Sequence, residues 1–358
     1  MDQILTMFKE LTETTGVVGN EKPVKEVMKK YLEPNCDELK YDNLGGIAAI
    51  KKGPSNGPKV MLTSHLDEVG FLVTDITEDG FLKFIGLGGW WEHVLLAQRV
   101  EVFTSSGEVI EGVIGSKPPH ILKSEDRKKV VQMNDMFIDI GAESKEEAKA
   151  FGVRPGNVVG VICPFTVMKN PKLMMAKAWD NRIGCAIVIE VMRRLKDESL
   201  DCTLYGVGVT QEEVGLRGAK TMANLINPDI TFAIDVGIAG DTPGISSNES
   251  RSKIGSGPQI VLYDSSLVSH PDLRNFVVDV AEEFKIPYQF EALAFGGTDA
   301  GATHTSGNGA PSLAITIATR YIHSHAAVLH YDDFENTVNL FVQVIKKLNN
   351  EVTNKITF

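Results

Sequence analysis

None of the four cysteines, Cys36, Cys163, Cys185 and Cys202, forms a C-x-x-C pair. That spacing argues against a thiolate zinc site, and free thiols are the expected state. Basic charge is also short. Thirty-six lysines and arginines stand against 47 aspartates and glutamates, a formal net charge of −11. Nucleic acid needs a basic face to meet its phosphates, so it is not expected as the main partner. No run approaches the roughly 18 apolar residues of a membrane span. There is no internal repeat, low-complexity tract or long linker. The opening MDQILTMFKELTETTG places Ile4, Phe8 and Leu11 at helical spacing with acidic residues early, which reads as an amphipathic helix rather than a signal peptide. A soluble, cytoplasmic protein with no membrane partner is expected.

What is present is a chain of 358 residues, 43% of them hydrophobic, enough for one large core or for two domains. Helix-like stretches at 2–14 and 22–32 are followed by strand-like IAAIKK (47–52) and VMLTSH (60–65). Between Val69 and Cys163 the texture changes to short β-rich runs punctuated by glycine, with one short helical stretch, SKEEAKAFG. Such spacing predicts a small barrel or sandwich. After Leu173 helix and strand alternate again: helix 181–195, strand 202–209, helix 216–226, strand ITFAID, helix 272–284 and strand SLAITIA. A terminal helix follows, with Phe334, Val338, Phe341, Ile345, Leu348 and Val352 spaced 4-3-4-3-4. The expected architecture is an α/β domain of residues 1–69 and 164–358 interrupted by a β domain of residues 70–163.

Several chemistry-bearing residues share one position, the end of an apolar strand. VMLTSHLDEVG sets His65 and Asp67 two apart, hence on one face if the strand continues; they suit a metal ligand and its orienting carboxylate, or a solvated strand end. Asp180 in MMAKAWDNRIG stands at a strand-to-helix junction, where it is either a ligand or a helix N-cap. Glu212 and Glu213 follow the apolar LYGVGV, and both reach one site only if the chain turns there. Asp235 follows ITFAI at a carboxyl strand end, where open α/β sheets carry their sites. His323 and His325 follow TIATRYI and read, in isolation, as ordinary surface histidines. Taken together, His65, Asp180, Glu213, Asp235 and His323 are three carboxylates and two imidazoles, a set that suits two Zn²⁺-like or Co²⁺-like ions with one carboxylate bridging. Without cations the clustered carboxylates would raise one another's pKa values; with them the cluster becomes favourable.

The ordered motifs HLD, AWDNR, QEEVGLRGA, DVG and RYIHS, with GGWW, PPH, DIGAESKEEA, GVRPGN and GGTDAGA between and after them, resemble the glutamyl aminopeptidase and tetrahedral aminopeptidase family over essentially the whole chain. The resemblance implies a zinc-peptidase-like α/β sandwich with an inserted PDZ-like β-barrel that contributes to oligomerisation. It also implies a dinuclear metallopeptidase holding two divalent ions, Zn or Co, per subunit. On that pattern His65 and Asp235 would bind one metal and Glu213 and His323 the other. Asp180 would bridge them, Asp67 would hold His65 through its second nitrogen, and Glu212 would be the general base. It further implies dimers assembling into a homododecamer.

The expected activity is release of N-terminal residues from short peptides. The resemblance to glutamyl aminopeptidase further implies a preference for acidic N-terminal residues, Glu or Asp, although relatives prefer leucine or lysine; that preference needs a basic group in the pocket, and Arg320, Arg251 and Lys177 lie near the motifs in sequence. Gly297 and Thr298 belong to the glycine-rich AFGGTDAGATHTSG, which lacks the phosphate-loop pattern and is read, from the resemblance, as a substrate-lining loop. The Trp90–Trp91 pair is either core or an intersubunit contact. Two alternatives come from other classes. An endoglucanase-like glycoside hydrolase would use paired carboxylates without metal. A non-catalytic scaffold would bind peptides through the barrel.

Overall fold

The computed structural model describes residues 2–357. Its backbone is a nine-stranded mixed sheet, a small three-stranded sheet and a closed six-stranded barrel. At the centre of the large sheet four strands run parallel in the order Thr203–Val209, Lys59–His65, Ile230–Ile238 and Ser312–Thr319. Each is buried almost throughout, which explains why these segments are near-continuous apolar runs rather than alternating ones. The register sets Val209 beside His65 and Ile238 beside Thr319. The four strands therefore end along one edge of the sheet, where the segments carrying His65, Glu212 and Glu213, Asp235 and His323 lie, whereas Asp180 follows Leu173–Ala176 of the small three-stranded sheet. Antiparallel strands extend both sides: Ile47–Lys51 and Glu38–Tyr41 on one, Gln259–Asp264 and Leu267–Val268 on the other.

The helix Trp179–Leu195 packs on the central strands and is buried on nearly every side, as an all-round apolar helix must be. Phe8 of the first helix (Asp2–Glu13) meets Trp179 and Phe334 edge-on, with ring centroids 5.3 and 4.9 Å away. These are favourable arrangements of the aromatic quadrupoles. The amphipathic opening helix is thus tied into the main core.

The barrel closes through strands Gly70–Ile76, Leu82–Leu87, Phe137–Asp139, Val109–Gly115, Arg99–Phe103 and Val158–Val161. It has a separate apolar core that includes Phe71, Phe84, Val100, Ile138 and Val159. The tryptophan doublet divides: Trp90 stacks on Phe71 at 4.8 Å and donates its indole N–H to the Gly70 carbonyl, whereas Trp91 is 63% exposed. Where the chain passes from sheet to barrel, Glu68 is buried between Lys177, whose Nζ lies 2.7 Å from both carboxylate oxygens, and Arg182 at 3.3 Å. Burial opposes ionisation of Glu68, but the two cations outweigh it and hold the carboxyl below its usual range. Lys177 is therefore a structural counter-ion, removed from any substrate pocket.

The terminal helix differs from its expectation. It is two helices, Tyr331–Lys347 and Asn350–Thr357, separated at Leu348, which is extended (φ −75°, ψ 119°). The Asn349 side chain accepts the Val352 amide at 3.0 Å and so begins a new helix. Leu348 stays buried across the break, which is why the apolar spacing runs through it unaltered. All four cysteines are free thiols, two of them buried. Among the described residues no helix is long and apolar enough to cross a membrane.

Candidate active site

His65 is the last residue of its strand. Its Nδ1–H donates to the Asp67 carbonyl at 3.0 Å, which fixes the tautomer and points Nε2 into the cleft. The Asp67 carboxylate lies 3.7 Å from Nδ1, beyond hydrogen-bond length. The expected hydrogen bond from the imidazole to the carboxylate is thus replaced by one to the Asp67 main-chain carbonyl. The carboxylate is committed elsewhere: its two oxygens accept the backbone amides of Glu212 at 3.0 Å and Glu213 at 3.1 Å.

That clasp answers how two adjacent glutamates enter one site. After Val209 the chain leaves the strand, Gln211 takes a left-handed conformation (φ 58°), and the Gly215 and Leu216 amides return to the Glu212 carbonyl at 2.9 Å. The side chains then diverge. Glu212 Oε2 is 3.9 Å from His65 Nε2, and Glu213 Oε1 is 3.5 Å from His323 Nε2.

Asp180 lies between the imidazoles, with Oδ1 3.1 Å from His65 Nε2 and Oδ2 3.2 Å from His323 Nε2. It is not the helix cap. Asn181 takes that task, accepting the Gly184 amide at 3.0 Å and donating to the Ile234 carbonyl at 2.7 Å. Asp180 has non-helical backbone angles, and the Asp180–Asn181 peptide is cis. Asp235 adds a carboxylate oxygen 3.7 Å from His65 Nε2. His323 sits at φ 54°. The barrel reaches the site here: a Cβ on Gly89 would stand 3.1 Å from the His323 ring, and one on Gly88 3.1 Å from Glu213 Oε2.

Two groups of donors result, His65–Asp180–Asp235 and Asp180–Glu213–His323, each with its ligand atoms within 4.8 Å of one another. Asp180 belongs to both, and Glu212 to neither. Neutral imidazole nitrogens and carboxylate oxygens in sets of three fit divalent transition metals with an open position. Glu213 Oε1 is buried with no hydrogen-bond partner, a cost that a cation would remove.

The electrostatics of the metal-free cluster point the same way. Burial opposes protonation of His323, yet the carboxylates of Asp180 and Glu213 beside it outweigh it and hold the imidazole up to about 11. Burial likewise opposes protonation of His65, but Glu212, Asp180 and Asp235 hold it well above its usual value. Burial, reinforced by neighbouring carboxylates, pushes Glu212, Glu213 and Asp235 up, while the two imidazoliums overcome burial at Asp180 and hold it low. Ligand imidazoles must be neutral. Loading the metal-free protein with Zn²⁺ at pH 7 is therefore expected to release about two protons per chain, with affinity falling as the pH is lowered. Titration calorimetry in buffers of different ionisation enthalpy measures this; zero proton release would contradict the assignment of both histidines.

The donors open onto a cleft of ≈460 Å³ that Gly297 and Thr298 also line. Arg320 is not among the lining residues: its guanidinium is held by both oxygens of Asp241, at 2.9 and 2.7 Å. Arg251 instead donates to the Ser247 carbonyl. His325, expected beside His323, has a buried Nδ1 without a partner and belongs to neither donor group. Asp299 belongs to the same glycine-rich loop. It is 2% exposed, one of its oxygens lacks a partner, and burial, offset by His65 and reinforced by Asp235 and Asp67, pushes it up to about 8. Its sequence signal was only its place in that loop.

An α/β fold whose central strands lead into two such donor groups, with one carboxylate to spare, fits a hydrolytic enzyme of the peptidase class. The chain belongs to the M42 glutamyl aminopeptidase family, which it matches over residues 45–340. It is 36% identical over 351 residues to the glutamyl aminopeptidase of Lactococcus lactis, covering 98% of each chain. It is 32% identical over 345 residues to the lysyl aminopeptidase of Pyrococcus furiosus, covering 96% of each. The solved TET aminopeptidase of a marine-sediment Thaumarchaeota archaeon superposes with a TM-score of 0.97 at 45% identity, covering 99% of each chain. Aminopeptidase activity is the reading these likenesses bear out, against the glycosidase and the non-catalytic scaffold.

Proposed function

We propose that this chain is a dinuclear metal-dependent aminopeptidase that releases N-terminal residues from short peptides. The observation that carries the reading is that Asp180 belongs to both donor groups while Glu212, beside them, belongs to neither. His65 and Asp235 would hold one divalent ion, Glu213 and His323 the other, and Asp180 both. Zn²⁺ or Co²⁺ held there would polarise the scissile carbonyl and make water a better nucleophile. Glu212 takes the proton of the attacking water and passes it to the departing amine. The Asp67 clasp holds Glu212 and Glu213 in their separate directions.

The reading extends to organisation. Residues 1–69 and 164–358 form the catalytic domain, and residues 70–163 form an oligomerisation domain. Dimers assemble into a homododecamer, supported by a 33%-identical Pyrococcus horikoshii TET1 peptidase described as assembling into a tetrahedron or a large octahedral shell. Free thiols at all four cysteines support a cytoplasmic location.

The test is release of chromogenic amino-terminal groups before chelation, after chelation and after return of Zn²⁺ or Co²⁺. Loss of turnover on chelation and its recovery with metal is expected. Full turnover in protein shown to be metal-free would overturn the reading.

A further inference from the structure

The name of the family suggests an acidic substrate residue, and one relative is a lysyl enzyme, yet the cleft of this chain is built for neither charge. Among its described lining residues there is no lysine or arginine. The basic side chains near the motifs are spent elsewhere, Lys177 on Glu68 and Arg320 on Asp241. Outside the donor cluster and Glu212, the cleft's one charged side chain is Asp264. That carboxylate is 1% exposed and already accepts the Ser266 amide and hydroxyl at 2.7 Å and the Thr298 hydroxyl at 3.0 Å. It faces its own hairpin and loop, and offers no free counter-ion to an incoming ammonium.

Apart from Ser265, Ser266, Thr298 and the glycines, the rest of the wall is apolar, and the segments that carry the donors supply much of it. Leu216 lies on the turn after Glu213, Val236 and Ile238 follow Asp235, and Ile322 precedes His323. Leu293, just before the glycine-rich loop, and Phe295 within it line the same cleft. Phe295 is 89% exposed and Ile238 41%, apolar surface that a bound apolar side chain would cover. A carboxylate placed against these side chains would lose its hydration and find no lysine or arginine among the described lining residues to pair with, a net cost.

We infer that the side-chain subsite of this cleft takes neutral apolar N-terminal residues, of the leucine and methionine type, and discriminates against both acidic and basic ones. The inference rests on the aminopeptidase reading for turnover, but the subsite itself can be tested without turnover.

Two measurements decide it. In the first, kcat/KM is compared for Leu-, Met-, Glu- and Lys-p-nitroanilide with metal-loaded wild type and with Ile238→Arg. The apolar substrates are expected to exceed both charged ones by about 100-fold, and Ile238→Arg to raise Glu relative to Leu by about tenfold or more. In the second, Leu-Ala-Ala, Glu-Ala-Ala and Lys-Ala-Ala are titrated calorimetrically into metal-loaded Glu212→Gln. The leucyl peptide should bind at least about tenfold more tightly. Equal or better handling of the glutamyl or lysyl compounds in either measurement overturns the inference and leaves the aminopeptidase reading standing. Turnover of none of the substrates, with the leucyl peptide still bound preferentially, overturns the aminopeptidase reading and supports the subsite.

Discussion

Glu212→Gln is expected to yield a folded protein with its full metal complement and a kcat lowered about a thousandfold, within the 10²–10⁴ range of a lost general base. The substitution keeps size and the backbone clasp: the Glu212 amide that Asp67 accepts at 3.0 Å is unaffected by a change at the side-chain tip. Neither donor group contains Glu212, so metal content should not move. What is lost is a group able to accept a proton. In the metal-free cluster burial, and the charges of Asp235, Asp299 and Glu213, hold the Glu212 carboxyl well above its usual range despite the opposing pull of His65, so it takes up a proton more readily than an ordinary glutamate. Glu213→Gln supplies the contrast, because it weakens a ligand; metal should be lost along with turnover. Atomic absorption on both variants separates the roles. A Glu212→Gln protein with near-normal turnover at full metal content would remove Glu212 as the base.

The placement of the donors was legible because parallel strands expose their carboxyl ends along one edge. Once the runs ending at His65, Val209, Asp235 and Thr319 are read as buried strands, their following residues must meet. The partition of labour among those residues was not legible. Sequence spacing suggested that Asp67 faces His65, but His65 ends its strand, and beyond a strand end the alternation that places i and i+2 on one face no longer applies. The carboxylate instead spans to the neighbouring turn. The helix-capping competitor for Asp180 was removed by Asn181, which a one-residue difference in the start of the regular helix decides; such boundaries are the least certain feature of any pattern. Arg320 was suggested by proximity alone, and its partner Asp241 lies far away in the chain, beyond what local pattern reports. The barrel was visible as glycine-punctuated β texture, while the approach of Gly88 and Gly89 to Glu213 and His323 depends on how barrel and sheet meet.

Asp180→Ala is expected to be the most damaging single change in the site. Its two oxygens stand 3.1 and 3.2 Å from the two imidazoles, so its removal takes a donor from both groups at once, whereas loss of Asp235 or His323 takes one from only one. Metal content should fall from about two ions per chain to below one, and turnover should drop by at least about 10⁴. The rise in melting temperature that metal gives the wild type should vanish, because a ligand that no longer binds the folded state no longer stabilises it. Without metal, Asp180 is the carboxylate that the imidazoliums hold ionised against its burial. Its loss therefore also leaves His65 and His323 with less reason to stay protonated, and the metal-free variant should release its imidazole protons at lower pH than the metal-free wild type. Asp180→Asn keeps the volume while halving the donor oxygens, and guards against attributing a misfolded alanine variant to the site. An Asp180→Asn protein that still binds two ions with wild-type affinity would show that Asp180 does not join the two donor groups.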